Sequence, residues 1–432
     1  MKEKRRDPYL DALRAGALLL VVFGHWLATL PRLQDGLMVS TEHLLKVWPA
    51  AGLLTWVAQV VPLFVFVSAA ASTDGMARRL RRDLPLLPWW GGRALGLARP
   101  TVTYLAALAA FALASLFTGG RLLEPLNHSL TIHLWFLLML LMVQALLPLS
   151  VRADQRYGMG AVAALLVMAF AVDLLRAGPD SARGLLELGA LVTASPGGVG
   201  WVNGLVVWLL PQQLGIAWQQ GRFRGPWMGG AFILLGLGWL AGAVASGYPT
   251  GMIGIDLDGN SNMLPPTLGL IGVMWVQIGA VLLLEKPARR LLRLGQVGGA
   301  VSLLGALSMP LYLWHKLAEL PAAWLGERLG LPIDAGVPGE SGFWMGRFWW
   351  VALCLLMVVP VLAAVVRYEA RRRRKLAPAA FTPMVLAGGL ALFAGLGVSL
   401  TLGAMPGAVI GVVAVLAASR LLRAQKTRHL GR

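Results

Sequence analysis

Only one cysteine, Cys354, occurs in the 432 residues, and it lies inside the apolar run Phe348 to Val366. Disulfides within the chain, CxxC redox chemistry and thiolate zinc sites are excluded by that count. A cysteine nucleophile is disfavoured, because nothing polar surrounds Cys354 in sequence. Charge is also scarce: Asp, Glu, Lys and Arg make up 13% of the chain, while 57% is hydrophobic. Long apolar runs in so lightly charged a chain point to an all-α, polytopic transmembrane helical bundle rather than a soluble enzyme. Acidic residues are the rarer sign, 20 against 38 basic, which leaves a net charge of +18. Such an excess can signal nucleic acid. Here the Lys and Arg residues are gathered between apolar runs, where topology and contact with membrane lipids account for them. No nucleic-acid partner is expected. No heptad run, Gly-x-y period or repeat of 20–50 residues is apparent.

A window of about 20 residues gives twelve candidate spans. They are residues 9–30, 53–72, 101–118, 131–150, 159–175, 201–218, 227–247, 266–284, 299–319, 345–366, 380–402 and 405–422. The basic residues between them alternate strongly. One side collects Lys2 to Arg6, Arg78 to Arg99, Arg152, Arg156, Arg222, Arg224, Lys286 to Arg293, Arg367 to Lys375 and the tail. The other has only Arg32, Lys46, Arg121, Arg176, Arg183, Lys316 and Arg328. The bias predicts a multi-pass protein of the inner (plasma) membrane with both termini cytoplasmic. The first span follows MKEKRR, is too long for a signal-peptide core and reads as an uncleaved signal anchor.

That first span, YLDALRAGALLLVVFGHWLATL, carries Asp11, Arg14 and His25. An ionisable group in lipid costs about 3 kcal/mol or more at a helix centre, so such residues face protein or water and commonly act there. At about 100° per residue, eleven residues bring Arg14 and His25 to one face, about 16 Å apart. Asp11 stands one turn before Arg14, at ion-pair spacing. Snorkelling of Asp11 and Arg14 to the headgroups is the alternative for those two. His25, whose ring titrates near neutrality, is a candidate proton-transfer group, with a purely structural histidine as the alternative.

Topology places two further histidines at the depth of His25: His133 opens the fourth span and His315 lies late in the ninth. Trp26, Trp135 and Trp314 accompany them, as an interfacial belt predicts. No nearby acidic group supports a three-histidine metal site, and no metal is expected. The outer loop Gly247 to Pro266 holds Asp256, Asp258, Asn260 and Asn262 without a basic residue. Polar loops of that length commonly bind ligands on a rigid scaffold, so Asp258 and Asn262 are candidate ligand contacts.

YLDALRAGALLLVVFGHW resembles the first helix of acyltransferase family 3, the integral-membrane O-acyltransferases, whose signature is Arg or Lys, ten residues, then His. Arg14 and His25 match it. PLFVFVSA (Pro62 to Ala69) is similar to the family's second helix, although Ala69 stands where Gly is common. HLWFL (His133 to Leu137) and SMPLYLWH (Ser308 to His315) resemble family segments in the right order, and SNMLPPT (Ser261 to Thr267) is a weaker match. The likeness covers residues 8 to 367, a ten-helix acyltransferase domain assigned here to 1–367. Residues 368–432 then form a basic loop, two added helices and a tail. The family's Arg-x-x-Arg element has two candidate positions. Arg79 and Arg82 keep the spacing, whereas loop position favours Arg93 to Arg99, with Gly96 in place of the second Arg.

The resemblance implies an acyltransferase that moves an acyl group, expected to be acetyl, from cytoplasmic acyl-CoA to a hydroxyl of a sugar or glycoconjugate. Acyl-CoA is then a donor substrate, and no permanently bound cofactor is implied. Arg79, Arg82, Arg93 and Arg99 offer guanidinium groups to its phosphates. Arg14 and His25 are the implied catalytic pair. His25 serves either as general base on the acceptor or as a transient acyl carrier. Asp11, His133, Ser308, Tyr312 and His315 join Asp258 and Asn262 as implied substrate contacts. The rival reading is a twelve-helix secondary transporter or flippase, against which no matching halves or paired broken helices are seen.

Overall fold

The computed structural model describes residues 7–34, 37–117, 119, 123–177, 198–254, 261–334, 336–371 and 382–423. Helices dominate it. Helix α1 (Pro8–Ala28) leads into a two-stranded antiparallel hairpin, β1 (Thr29–Gln34) and β2 (Leu37–His43). Then come α2 (Val61–Arg81), α3 (Leu86–Leu116), α4 (Ser129–Ile132), α5 (Trp135–Ala145), α6 (Leu147–Tyr157) and α7 (Met159–Ala177). Helices α8 (Asn203–Gln219), α9 (Pro226–Ala245), α10 (Gly269–Leu291) and α11 (Gly295–Trp314) follow. The series ends with α12 (Glu319–Arg328), α13 (Phe343–Arg371), α14 (Thr382–Leu402) and α15 (Ala408–Leu421).

Among the described residues nine helices are long and apolar enough to cross a membrane. A tenth crossing results if α4–α5 and α6, bent by 47°, act as one. Each of the twelve sequence windows falls on helix, but two are not counted as separate long spans. Helix α8 has 17 residues, about 26 Å at 1.5 Å each, short of the apolar thickness. Residues Thr382–Leu421 read as one apolar stretch of 40 residues, with a kink at Met405. The third span also starts earlier than hydropathy suggests. Pro100 lies inside α3, so Arg93 and Arg99 ride on a 31-residue helix rather than in a loop. A single proline removes one helix bond without ending the helix. At about 46 Å, α3 is longer than the apolar core, which leaves turns for charged residues.

The chain divides into two compact units. The first comprises 1–24, 44–81 and 142–306. One close seam joins α9 to α10 through glycines spaced seven apart. A Cβ on Gly279 would stand 2.6 Å from the Gly229 carbonyl oxygen, and one on Gly236 would stand 2.7 Å from that of Gly272. Small residues at such spacing let two backbones touch, the packing that holds helices together in lipid. Helix α8 approaches α2 as closely: a Cβ on Gly215 would collide with the Phe66 carbonyl, and Phe66 packs on Trp218 at 5.6 Å. Polar clamps finish this unit. Arg222 forks onto buried Asp154 at 2.9 and 3.0 Å. Asp7 receives the Arg289 fork at 2.8 and 2.9 Å. Buried Asp173 accepts from Asn203, Tyr248 and the Leu268 amide.

The second unit comprises 25–43, 82–141 and 307–432. Helices α14 and α15 pack on each other and on α3. Asn127 fastens their kink, accepting from the Met405 amide at 2.9 Å. On α13, Arg347 is 2% exposed and donates to the Thr29 and Ile333 carbonyls at 2.6 and 2.8 Å. Arg32 bridges Glu42 and Asp334. Partial burial opposes its charge, but the hydrogen bonds to those two carboxylates prevail and hold its pKa above the usual arginine value.

Candidate active site

Three histidines distant in sequence meet inside the second unit, and two of them sit where helices break. His133 occupies the turn between α4 and α5. His315 follows the last residue of α11 and precedes a single 3₁₀ turn, Lys316–Ala318. Pro310 lies in the last turns of α11. Having no N–H, it loosens that end of the helix. His25 comes from the penultimate stretch of α1, which is continuous from Pro8 to Ala28.

His25 Nδ1 and His315 Nε2 are 2.8 Å apart, with the two rings stacked at 26° and their centroids 5.1 Å apart. The other nitrogen of His315, Nδ1, is 2.8 Å from the Tyr312 carbonyl oxygen. Trp26 donates its indole N–H to the His315 carbonyl at 3.1 Å. His133 stands against His315 at 5.6 Å between ring centres. Its walls are Tyr104 at 5.5 Å and Tyr312 at 5.4 Å. The Tyr312 hydroxyl donates to the His133 carbonyl, and Tyr104 donates to that of Leu130 at 2.5 Å. His315, Tyr104 and Trp26 are each 0% exposed. His25 is partly exposed, and among the described residues no protein group partners its Nε2.

Beside the pair lies a charged cluster that the sequence reading did not single out. Lys316 Nζ donates to Glu319 Oε1 at 2.7 Å and to Thr29 Oγ1 at 2.9 Å. Thr29 in turn donates to the His25 carbonyl at 2.9 Å. The ion pair is buried, 6% and 0% exposed at the side chains. A Lys and a Glu three residues apart directly after His315, in an apolar stretch, were the available signal. Apolar periodicity likewise gave no sign of the hairpin β1–β2.

The remaining candidates are placed as follows. Asp11 and Arg14 form the ion pair their spacing suggests, at 3.4 Å and about one-third exposed, in the first unit. Ser308 lies two turns before His315 on α11. Arg79 lies in the last turn of α2 in the first unit, and Arg82 follows that helix in the second. Arg93, on α3, is exposed and stacks over Trp89 at 5.5 Å, with the half-buried Arg99 further along the same helix. Asn262 is fully buried. Its amide donates to the Pro249 and Gly251 carbonyls, and its oxygen accepts from Thr267. Those bonds make it a loop clamp. Asp258 lies outside the described residues. No group of three His, Cys, Asp or Glu residues among those described is arranged to hold a metal ion.

Neither a curated protein nor a solved structure matches the chain. A family model described as an acyltransferase domain matches residues 7–367. That match opens on the helix bearing Arg14 and His25 and closes near the end of α13, taking in every residue of the histidine cluster. The chain therefore belongs to acyltransferase family 3 and is a multi-pass membrane acyltransferase.

Proposed function

We propose that the protein transfers an acetyl group from acyl-CoA to a hydroxyl of a sugar or glycoconjugate, with His25 as general base. One observation carries this reading: His25 is a partly exposed histidine on a membrane helix with Nδ1 held and, among the described residues, no protein partner on Nε2. Such a nitrogen can take a proton from an incoming hydroxyl. The acceptor oxygen attacks the thioester carbonyl as Nε2 receives its proton. The tetrahedral intermediate then collapses, the C–S bond breaks, and the CoA sulfur takes the proton from Nε2. Products are an ester and free CoA, and His25 returns to its neutral form. Direct transfer of this kind needs only one proton carrier.

The donor is proposed to enter from the cytoplasm and the acceptor from the opposite face. Support comes from the Lys/Arg alternation, which favours cytoplasmic termini in the plasma membrane, and from arginines near the start of α3. Arg14, eleven residues before His25 on α1, is proposed as the cation that guides the thioester arm inward.

Exposed guanidinium groups bind phosphates through charge-assisted bonds of about 1.5–3 kcal/mol each. Replacing Arg93 and Arg99 together by Gln should therefore raise the Kd for CoA at least about tenfold. Added salt should weaken binding to the wild type, and Arg328→Gln should leave it unchanged. Calorimetric titration of the purified protein with CoA measures this. An unaltered Kd in the double variant would remove both arginines from the donor site.

A further inference from the structure

We infer that His315 is a positioning residue that fixes the tautomer of His25, so that the basic lone pair faces the substrate. The inference rests on the general-base reading and follows from counting protons along one chain of contacts. The Tyr312 carbonyl oxygen can only accept, so the 2.8 Å contact requires His315 Nδ1 to carry the hydrogen. A neutral imidazole protonated at Nδ1 has a lone pair at Nε2. That lone pair faces His25 Nδ1 at 2.8 Å, so His25 Nδ1 must donate. His25 Nε2 is then left unprotonated, and it is the one ring nitrogen of the pair with no protein partner among the described residues.

The rest of the surroundings lock this arrangement. Trp26 holds the His315 carbonyl. Thr29 holds the His25 carbonyl and is itself tied to Lys316 and Glu319. Tyr104, Tyr312 and His133 close the aromatic side. A catalytic carboxylate at the place of His315 would add another buried charge beside an ion pair already out of water, which desolvation opposes. An imidazole supplies the same acceptor without charge. When Nε2 of His25 takes the acceptor proton, the Nδ1–H bond to neutral His315 becomes charge-assisted and shorter. The proton between the rings stays where it is, and His315 gains none.

Glutamine and asparagine separate positioning from packing. The side-chain amide of Gln reaches the position of Nε2, so its oxygen can accept from His25. That of Asn reaches only the position of Nδ1, so it keeps the Tyr312 contact and loses His25. With purified protein in lipid nanodiscs and acetyl-CoA as donor, His315→Asn should lower kcat about 100-fold, within the span of general-base effects. His315→Gln should stay within about tenfold of wild type, and KM for acetyl-CoA should move less than about twofold in both. Nitrogen-15 spectra of histidine-labelled protein should show Nε2 of His25 unprotonated in wild type and the Gln variant, and Nε2 protonated in the Asn variant.

Wild-type kcat in His315→Asn, equal losses in the two variants, or an unchanged His25 tautomer in the Asn variant would overturn the inference. Should the Asn variant fail to accumulate, the Gln variant decides: near-normal kcat with Nε2 unprotonated supports the inference, and any other result overturns it. Failure of the underlying reading looks different. In that case His25→Ala itself would remain active, whatever His315 does.

Discussion

His25→Ala should lose acyl transfer by about 10²- to 10⁴-fold while the protein still inserts and accumulates, the range expected when a general base is removed. The loss should appear in kcat, because Nε2 acts on the reacting hydroxyl rather than on the bulk of either substrate. Folding should survive. His25 is partly exposed, and the packing of the C-terminal end of α1 is carried by Trp26, which is fully buried. Arg14 should behave differently. Arg14→Lys should keep appreciable activity, since a cation remains beside Asp11, although Lys lacks the planar fork of a guanidinium. Arg14→Ala should fail, in part through the unpaired Asp11. The readout is transfer in membranes at matched protein level, and full activity in His25→Ala would overturn the assignment of the base.

The largest effect on stability should come from Lys316→Met. That change strands the Glu319 carboxylate, which is 0% exposed and, among the described residues, has Lys316 at 2.7 Å as its one ionic partner. Breaking a buried pair on one side costs about 3–5 kcal/mol, whereas replacing both partners by apolar groups is often close to neutral. Thermal unfolding in detergent should therefore show a steep drop for Lys316→Met and recovery in Lys316→Met/Glu319→Leu. A single variant as stable as wild type would show that the pair contributes no net stability. A double variant no better than the single would show that Thr29 and its neighbours, rather than the stranded charge, bear the cost.

Much of the site was legible because ionisable residues stand out against lipid-facing sequence. Arg14 and His25 are visible as polar interruptions on one face of an apolar helix, and both fall within the residues that the family model matches. Depth alone suggested that His133 and His315 belong near His25, and the structure brings all three rings into one chain of contacts. What depth could not supply is the hydrogen-bond order within that chain. The two rings that join His25 stand at helix ends, His133 after α4 and His315 after α11, and hydropathy does not resolve such ends. Lys316 and Glu319 escaped notice because topology counts read Lys316 as a loop charge, whereas it is buried against Thr29. Asn262 is a different case. A polar residue in a polar loop suggested binding, yet its side chain is consumed by the loop's own carbonyls and Thr267.

Helix boundaries were less legible than helices. Hydropathy started the third span after Arg99 and Pro100, but the helix begins at Leu86, because guanidinium groups are tolerated on turns beyond the apolar core. The short helix α8 and the kinked run Thr382–Leu421 blur the number of crossings for the same reason: apolar length and helix length are different quantities.

The most direct test is acetyl-CoA turnover by the purified protein in lipid nanodiscs, followed as release of the free CoA thiol. Water can stand in slowly for the sugar hydroxyl, so the account predicts thiol release above background from the wild type and none above background from His25→Ala. Thiol release that is equal in the two proteins, or absent from both while another acyl donor is consumed, would contradict it.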